Sequence, residues 1–311
     1  MEMPINSLTK HLNFFDVDVV IVNYNAGTLL VDCVRSAFTG GAALVIVVDN
    51  DSTDGSLENL DRAIASERLL VIRNAKNLGF AAACNIGIHR SHAGHILFLN
   101  PDSVLTNDAL GTMIRASQSA ATTGMVSGIL CNLDGSEQPG GRRIFPTPRR
   151  AFVRAFGLSR LQTYFPTIFS DFLLHNEPLP KEQVAVEAIS GACMLVKRKA
   201  IDDVGLWDEG YFLHCEDLDW CMRFQRNGWK VVFTPDAKII HVKGASSRSR
   251  PIFVEWHKHR GMVRFYRKFF RHQYTGLLWG LVIIGVWLRF VLVALYLSAR
   301  LALANIRAAH A

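Results

Sequence analysis

Short apolar runs that end in polar clusters recur through the first hundred residues. Asp18-Val-Val-Ile-Val22 gives way to Asn23-Tyr24-Asn25, and Leu44-Val-Ile-Val-Val48 to Asp49-Asn-Asp-Ser-Thr-Asp-Gly55. Ile96-Leu-Phe-Leu99 runs into Asn100-Pro-Asp102, and Leu69-Leu-Val-Ile72 lies between. Unbroken aliphatic runs rich in β-branched residues suit strands buried on both faces. Leu29, Leu30, Val34 and Ala37 fall at helical spacing, and Gly79 to His89 reads as a helix rich in small residues. Strands alternating with helices predict an α/β domain with a parallel sheet flanked by helices. Ligands of such sheets sit beyond the carboxyl ends of the strands. The polar clusters after Val22, Val48 and Leu99 occupy those ends.

The second half has a different texture. Residues 134–182 are rich in Pro, Arg and aromatics and have little periodicity, which predicts a loop and short-helix insertion. They include Gln138-Pro-Gly-Gly-Arg-Arg143. Val184 to Val196 reads as strand material interrupted by Ser190-Gly-Ala192, and Val231-Val-Phe233 and Ile239-Ile240 as two more short strands. Glu216 and Asp217 are placed to open a helix that Asn227-Gly228 closes. Acids in that first turn gain from the helix dipole whatever else they do. Asp219 and Arg223, four apart, read most simply as a surface ion pair.

Composition narrows the class. The chain has 311 residues, half of them hydrophobic, enough for one large domain with an appendage. The six cysteines show no Cys-x-x-Cys or zinc spacing and read as small core residues. Met1 to Asp18 has no apolar run ahead of a small-residue cleavage site, so a reduced, cytosolic catalytic domain is expected. The net charge of +7 is concentrated: Arg248, Arg250, Lys258, Arg260, Arg264, Arg267, Lys268 and Arg271 face only Glu255 as a counter-charge. Such a cluster suits nucleic acid or anionic lipid headgroups.

The segment that follows decides between them. Gly276 to Ala299 is apolar all round apart from Arg289. Spanning a bilayer takes roughly 20 apolar residues. An arginine at mid-helix costs about 2.5–3.5 kcal/mol, which the surrounding Leu, Ile, Val and Phe can offset. A membrane segment, spanning or re-entrant, is expected, with a buried helix or a dimer interface as the alternative. Lys and Arg flanking a membrane segment favour the cytoplasmic side. The cluster then reads as a lipid-facing collar, and no nucleic-acid partner is expected.

Three constellations carry chemistry. Asn100-Pro-Asp102 is a good turn sequence, and an acid there can also hold Mg²⁺ or Mn²⁺ against a diphosphate. Asp49 can bond a base or ribose, with Ser52 or Asp54 capping the next helix. Tyr24 can stack on a base. In Asp208-Glu-Gly-Tyr-Phe-Leu-His-Cys-Glu-Asp217, Asp217 is the candidate for a carboxylate that deprotonates a sugar hydroxyl. His241, after the Ile239-Ile240 strand, can be a metal ligand or a diphosphate contact.

With these residues assembled, the sequence resembles family 2 glycosyltransferases of the GT-A fold, and among them the bacterial rhamnosyltransferase-like branch. The matching stretches run in order: Val20-Ile-Val-Asn-Tyr-Asn25, Val47 to Ser56, Asn77-Leu-Gly-Phe-Ala-Ala-Ala-Cys-Asn-Ile-Gly87, Leu99-Asn-Pro-Asp102, Ser190-Gly-Ala-Cys-Met194, and Trp207 to Arg223. The resemblance implies a Rossmann-like mixed sheet flanked by helices, a nucleoside-diphosphate-sugar donor and a divalent metal, Mg²⁺ or Mn²⁺. It implies that Tyr24 and Asp49 hold the nucleoside, with Asn25 and Asn85 among the donor contacts. Asn100-Pro-Asp102 would stand in the place of the family's Asp-x-Asp, Asp102 binding metal and diphosphate and His241 adding a ligand. Gly191 and Ala192 would line the sugar pocket. Asp217 would be the general base of a single inverting displacement, with Glu216 beside it. The Asn100 departure removes one carboxylate, so that metal would bind more weakly or rely on His241.

The organisation expected is an extension over 1–17, a catalytic domain over 18–247, a basic amphipathic linker over 248–274 and a membrane-associated helix over 275–311. The activity expected is transfer of a sugar, L-rhamnose from dTDP-rhamnose as best candidate, to a lipid-linked or polysaccharide acceptor in cell-envelope glycan synthesis, at the cytoplasmic face of a bacterial inner membrane. Two alternatives stand beside it. A nucleotidyltransferase would want a Gly-rich basic loop after the first strand, which is missing. A non-catalytic glycan-binding or scaffold protein would not need both Asp102 and Asp217.

Overall fold

The structure is a computed structural model and describes residues 15–106, 108–155, 172–242, 250–274 and 276–309. Most of the 1–17 extension, Lys243-Gly244, Arg248 and the expected boundary at 247/248 lie outside the described residues.

The first half follows the alternation in the sequence: β1 (Val17–Asn23), α1 (Leu29–Thr39), β2 (Leu44–Asp49), α2 (Ser56–Ala63), β3 (Leu69–Arg73), α3 (Phe80–Arg90) and β4 (His95–Leu99). Next come β5 (Ser103–Leu105), α4 (Ala109–Gln118) and β6 (Thr123–Cys131). The insertion contributes β7 (Arg142–Arg143) and α5 (Pro148–Ala155), and β8 (Val184–Ala185) and β9 (Ala188–Ile189) follow it. β10 (Cys193–Lys197), α6 (Arg198–Val204), α7 (Glu216–Arg226) and β11 (Lys230–His241) complete the sheet region. A long α8 (Pro251–Phe269) and α9 (Gly276–Ala309) follow.

The main sheet runs β3-β2-β1-β4-β10-β6-β11-β5, with β8 on β11, and β7 pairs β9 apart from it. β1 to β4 are mutually parallel, as the alternation predicts. β10 then enters antiparallel between β4 and β6, so the sheet is mixed. The two short strands expected at 231–233 and 239–240 are one strand, β11, whose register on β6 shifts between Phe233 and Lys238.

Every residue of β1 is buried because helices cover both faces of the sheet. Val20, Val22, Ile46 and Val48 point into a core shared with α3, α7 and α8, while Val19, Ile21, Val45 and Val47 point to the opposite core against α1 and α4. The small residues of α3 permit close approach: a Cβ on Gly87 would lie 2.4 Å from Val20 Cγ1.

α8 is not a linker. Its Phe265, Tyr266 and Phe269, with Phe270, are buried in the same core as α3 and α7. α9 then lies along α8. Trp256 meets Trp287 and Phe290, and Arg289 donates to His259 Nε2 at 2.7 Å with Glu255 4.0 Å away. The mid-helix arginine is thus partnered. The remaining surface of α9, with Leu277, Leu281, Ile284, Leu288, Leu292 and Leu295, is exposed, so it is not a core helix. Gly276–Ala304 is long and apolar enough to cross a membrane.

Candidate active site

Three polar clusters do converge at the carboxyl ends of neighbouring strands. The β1–β2 register sets Asn23 opposite Asp49, and Asn23 Nδ2 donates to Asp49 Oδ1 at 2.7 Å. Asp49 also accepts from the Ser52 hydroxyl at 2.6 Å and the Ser52 N–H at 3.0 Å. Its carboxylate is therefore buried and committed to shaping the second loop. Asn25, in the left-handed region at φ 53°, takes the Thr53 N–H on Oδ1 at 2.8 Å and ties the two loops together. Tyr24 is half-buried beside it. Asp54 accepts from the Gly27 N–H at 2.7 Å and the Ser56 N–H at 3.1 Å, but the N-cap of α2 is Gly55 and no side chain caps it, so neither Ser52 nor Asp54 has the capping part expected.

Asn85 is tied to a different loop. It is buried, its Nδ2 donates to Trp207 O at 3.0 Å and Glu209 Oε1 at 2.8 Å, and its Oδ1 accepts from Trp207 N–H at 3.0 Å. Both amide hydrogens and one oxygen lone pair are so used, and the side chain braces α3 against the 207–215 loop.

Asn100-Pro-Asp102 is a turn, as its sequence suggests. Ser103 N–H closes the turn on Asn100 O at 3.0 Å, and Asn100 N–H donates to Ala192 O at 2.9 Å. The β11–β5 register places His241 opposite Ser103. His241 Nε2 consequently sits 3.2 Å from Asp102 Oδ1, both residues buried. Asp102 Oδ1 nevertheless has no hydrogen-bond partner, an arrangement that in native proteins calls for an explanation. Among the described residues no group of three or more His, Cys, Asp or Glu side chains gathers as a metal site.

The other acid pair opens α7. His214 and Cys215 both take left-handed backbone, at φ 68° and 73°, immediately before Glu216. Consecutive non-glycine residues in that region cost free energy and mark sites where geometry matters more than local comfort. α8 presses on this turn through Gly261, where a Cβ would stand 2.7 Å from His214 O. Asp217 Oδ2 accepts from Arg143 Nη2 at 2.5 Å and from Gly191 N–H at 3.3 Å, and Oδ1 from Leu218 N–H at 2.8 Å. Burial opposes the charge on Arg143, but Asp217 outweighs it and holds the guanidinium firmly protonated. Glu216 is buried with Oε2 unpartnered, and burial, then the charge of Asp217, pushes its carboxyl well up.

Gly191 and Ala192 join the two acidic centres. Ala192 receives the Asn100 N–H, Gly191 donates to Asp217, and a Cβ on Gly191 would touch Phe80 and Asp217.

Asp219 and Arg223 do form an ion pair, at 2.7 Å, but not on the surface: Asp219 is 0% exposed and also takes the Tyr211 hydroxyl and Lys268. Asp208 likewise takes Arg264 and Lys268. Two cations expected in a lipid-facing collar are thus spent fastening α8 to the 207–215 loop. Arg260 and Arg267 remain exposed. Sequence reasoning assigned no role to Arg143. Its only signal was an arginine pair in a polar loop, and nothing in that stretch tells that its side chain turns inward to α7.

The model for glycosyl transferase family 2 matches residues 18–205, and that for glycosyl transferase family group 2 matches residues 143–308. The chain is 28% identical over 246 residues to the N-acetylglucosaminyl-diphospho-decaprenol L-rhamnosyltransferase of Mycobacterium tuberculosis, covering 75% of this chain and 78% of that one. It is 29% identical over 157 residues to the rhamnosyltransferase WbbL of Escherichia coli, covering 50% and 54%. With the dTDP-rhamnosyl transferase RfbF of Shigella flexneri it shares 25% over 240 residues, 75% and 71%. Among solved structures it is similar to GalNAc-T7 with UDP, GalNAc and Mn²⁺, with a TM-score of 0.59 and 17% identity over 82% of this chain and 48% of that one. This chain thus spans about half of GalNAc-T7. It is also similar to the mannosyltransferase PcManGT of Pyrobaculum calidifontis in complex with GDP-Man and Mn²⁺, with a TM-score of 0.56 and 15% identity over 95% and 76%. These likenesses show the GT-A fold. With a family match across more than half its length, the chain belongs to glycosyltransferase family 2 and is a glycosyltransferase.

Proposed function

We propose that this glycosyltransferase moves L-rhamnose from dTDP-rhamnose, with inversion, onto a lipid-linked or polysaccharide acceptor of the cell envelope, at the cytoplasmic face of a bacterial inner membrane. The observation that carries the reading is the Gly191–Ala192 bridge. One hydrogen bond reaches the Asn100-Pro-Asp102 turn and the other reaches Asp217. A donor's leaving group and an acceptor's base are needed on opposite sides of one anomeric carbon, and this bridge sets two acidic centres around one small-residue floor. The rhamnosyltransferase names of the relatives support the donor, and the decaprenol-linked substrate named for the M. tuberculosis protein supports a lipid-linked acceptor.

In this reading Tyr24 stacks on the base, while Asp49 and Asn25 hold the loops that shape the nucleoside subsite. Asp102 and His241 fit a divalent cation, Mg²⁺ or Mn²⁺, because an unpartnered buried carboxylate oxygen faces an imidazole nitrogen. Bound there with the donor, such an ion would neutralise charge on the departing nucleoside diphosphate. Asp217 takes the proton of the acceptor hydroxyl as that oxygen attacks the anomeric carbon and the bond to the diphosphate breaks. Arg143 and the Gly191 N–H aim the carboxylate. α9, apolar and exposed, lies in the bilayer, and Arg260 and Arg267 meet its anionic surface.

The test is a donor screen on detergent-solubilised or membrane-bound enzyme with dTDP-rhamnose, UDP-sugars and GDP-sugars and a polyprenyl-diphosphate-linked acceptor, with and without Mn²⁺. Turnover with dTDP-rhamnose that requires metal and is lost in Asp217→Asn is expected. Turnover with another donor would refute the sugar assignment, and full activity in Asp217→Asn would refute the base.

A further inference from the structure

Gln138 lies in the insertion, in a stretch to which the reaction above gives no part. It is 3% exposed, and its N–H donates to Leu130 O of β6 at 2.8 Å, which fixes it beside the end of β11. Its amide makes two bonds to a single residue. Nε2 donates to the His241 carbonyl at 2.5 Å, and Oε1 faces His241 Nδ1 at 2.8 Å. A backbone carbonyl only accepts, so the end of the amide facing it is the NH₂ end. The other end is then a carbonyl oxygen, which also only accepts, so Nδ1 must carry the hydrogen. A neutral imidazole has one N–H, so Nε2 keeps its lone pair. That lone pair stands 3.2 Å from Asp102 Oδ1, the buried oxygen with no hydrogen-bond partner. Although close, the two atoms lack the alignment of a hydrogen bond, so neither satisfies the other.

We propose that Gln138 is a positioning residue for the cation site: by holding His241 as the Nδ1–H tautomer it keeps Nε2 and Asp102 Oδ1 together as two acceptors, ready for a divalent metal. Outer partners of metal-bound histidines fix tautomer and ring orientation in this way, and losing one typically costs about 10–100-fold in metal affinity. The inference rests on the metal-dependent reading of the site.

The experiment uses the full chain in detergent with ¹⁵N-labelled histidine, the His241 signals being those that vanish in His241→Gln. Mn²⁺ binding in the presence of dTDP is followed by electron paramagnetic resonance. The metal-free wild type is expected to show His241 Nε2 unprotonated and Nδ1 protonated at pH 8. Gln138→Leu, of similar volume, is expected to mix the tautomers and weaken Mn²⁺ at least about tenfold. Gln138→Glu still offers an acceptor to Nδ1–H, and is expected to keep the tautomer and bind Mn²⁺ more tightly than Gln138→Leu. A protonated Nε2 in the wild type, or unchanged Mn²⁺ affinity in folded Gln138→Leu, would overturn the assignment and leave the metal reading standing. Absence of Mn²⁺ binding by the wild type would overturn both. The wild-type tautomer decides even where Gln138→Leu does not fold.

Discussion

Arg143→Gln tests how the candidate base is held. Arg143 and Asp217 are 15% and 14% exposed at their side chains and meet at 2.5 Å, so this is a largely desolvated pair. Removing one partner of such a pair strands the other, at a cost of about 3–5 kcal/mol. The lost bond to Ile189 O, 2.8 Å long, is counted within that cost. The Gly191 and Leu218 N–H groups still solvate the carboxylate, so the lower end, about 3 kcal/mol, is the working figure. At roughly 2–4 °C per kcal/mol, the melting temperature should fall by about 6–12 °C. The assay is thermal unfolding of the full chain in detergent, followed by tryptophan fluorescence. The cost arises from a stranded charge, so it should be recovered by removing that charge. Arg143→Gln/Asp217→Asn should melt well above Arg143→Gln alone. A loss under 2 °C in the single variant, or a double variant no better than the single, would refute the reasoning.

Asn85→Leu should lower stability by about 1–3 kcal/mol, since it strands Trp207 backbone groups, while leaving the Michaelis constant for the donor nearly unchanged. A large rise in that constant without loss of stability would make Asn85 a donor contact after all. Gly261→Ala should cost about 1–3 kcal/mol through the clash with His214 O and depress kcat with it, read from melting and steady-state kinetics. Burial alone would raise the Asp208 carboxyl, but Lys268, then Arg264, hold it down to about 2. A depressed acid contributes stability above its unfolded pKa of roughly 3.9 and loses it as pH falls towards 2. Trp207 fluorescence should therefore change between about pH 4 and 2, and that step should be missing in Asp208→Asn.

The parallel half of the sheet was legible because its strands are buried on both faces and so read as unbroken apolar runs. β6 and β5 were not, since Thr123-Gly-Met-Val-Ser-Gly carries no strong β pattern and its burial comes from neighbours far along the chain. Asp102 and His241 were legible as single candidates, but what unites them is the β11–β5 register, a long-range pairing that local spacing cannot express. The bonds of Asn85 to Trp207 and Glu209 were not legible, because a buried asparagine looks the same in sequence whether it meets a ligand or a loop. The basic cluster was misread for a related reason. Arg264 and Lys268 count as free charge until the fold brings Asp208 and Asp219 to them.

α8 is at once a wall of the catalytic core and the bed on which α9 lies. Among the described residues between them, Arg271–Gln273 form a 3-10 turn, and α9 packs back along α8. Whatever takes up α9 therefore takes up the whole enzyme at a set tilt and a set height, as a bracket holds a shelf. A tethered domain could swing to meet acceptors of many lengths. A bracketed one would work as a ruler: in the proposed reaction an acceptor is extended only while its growing end stands at the level of Asp217.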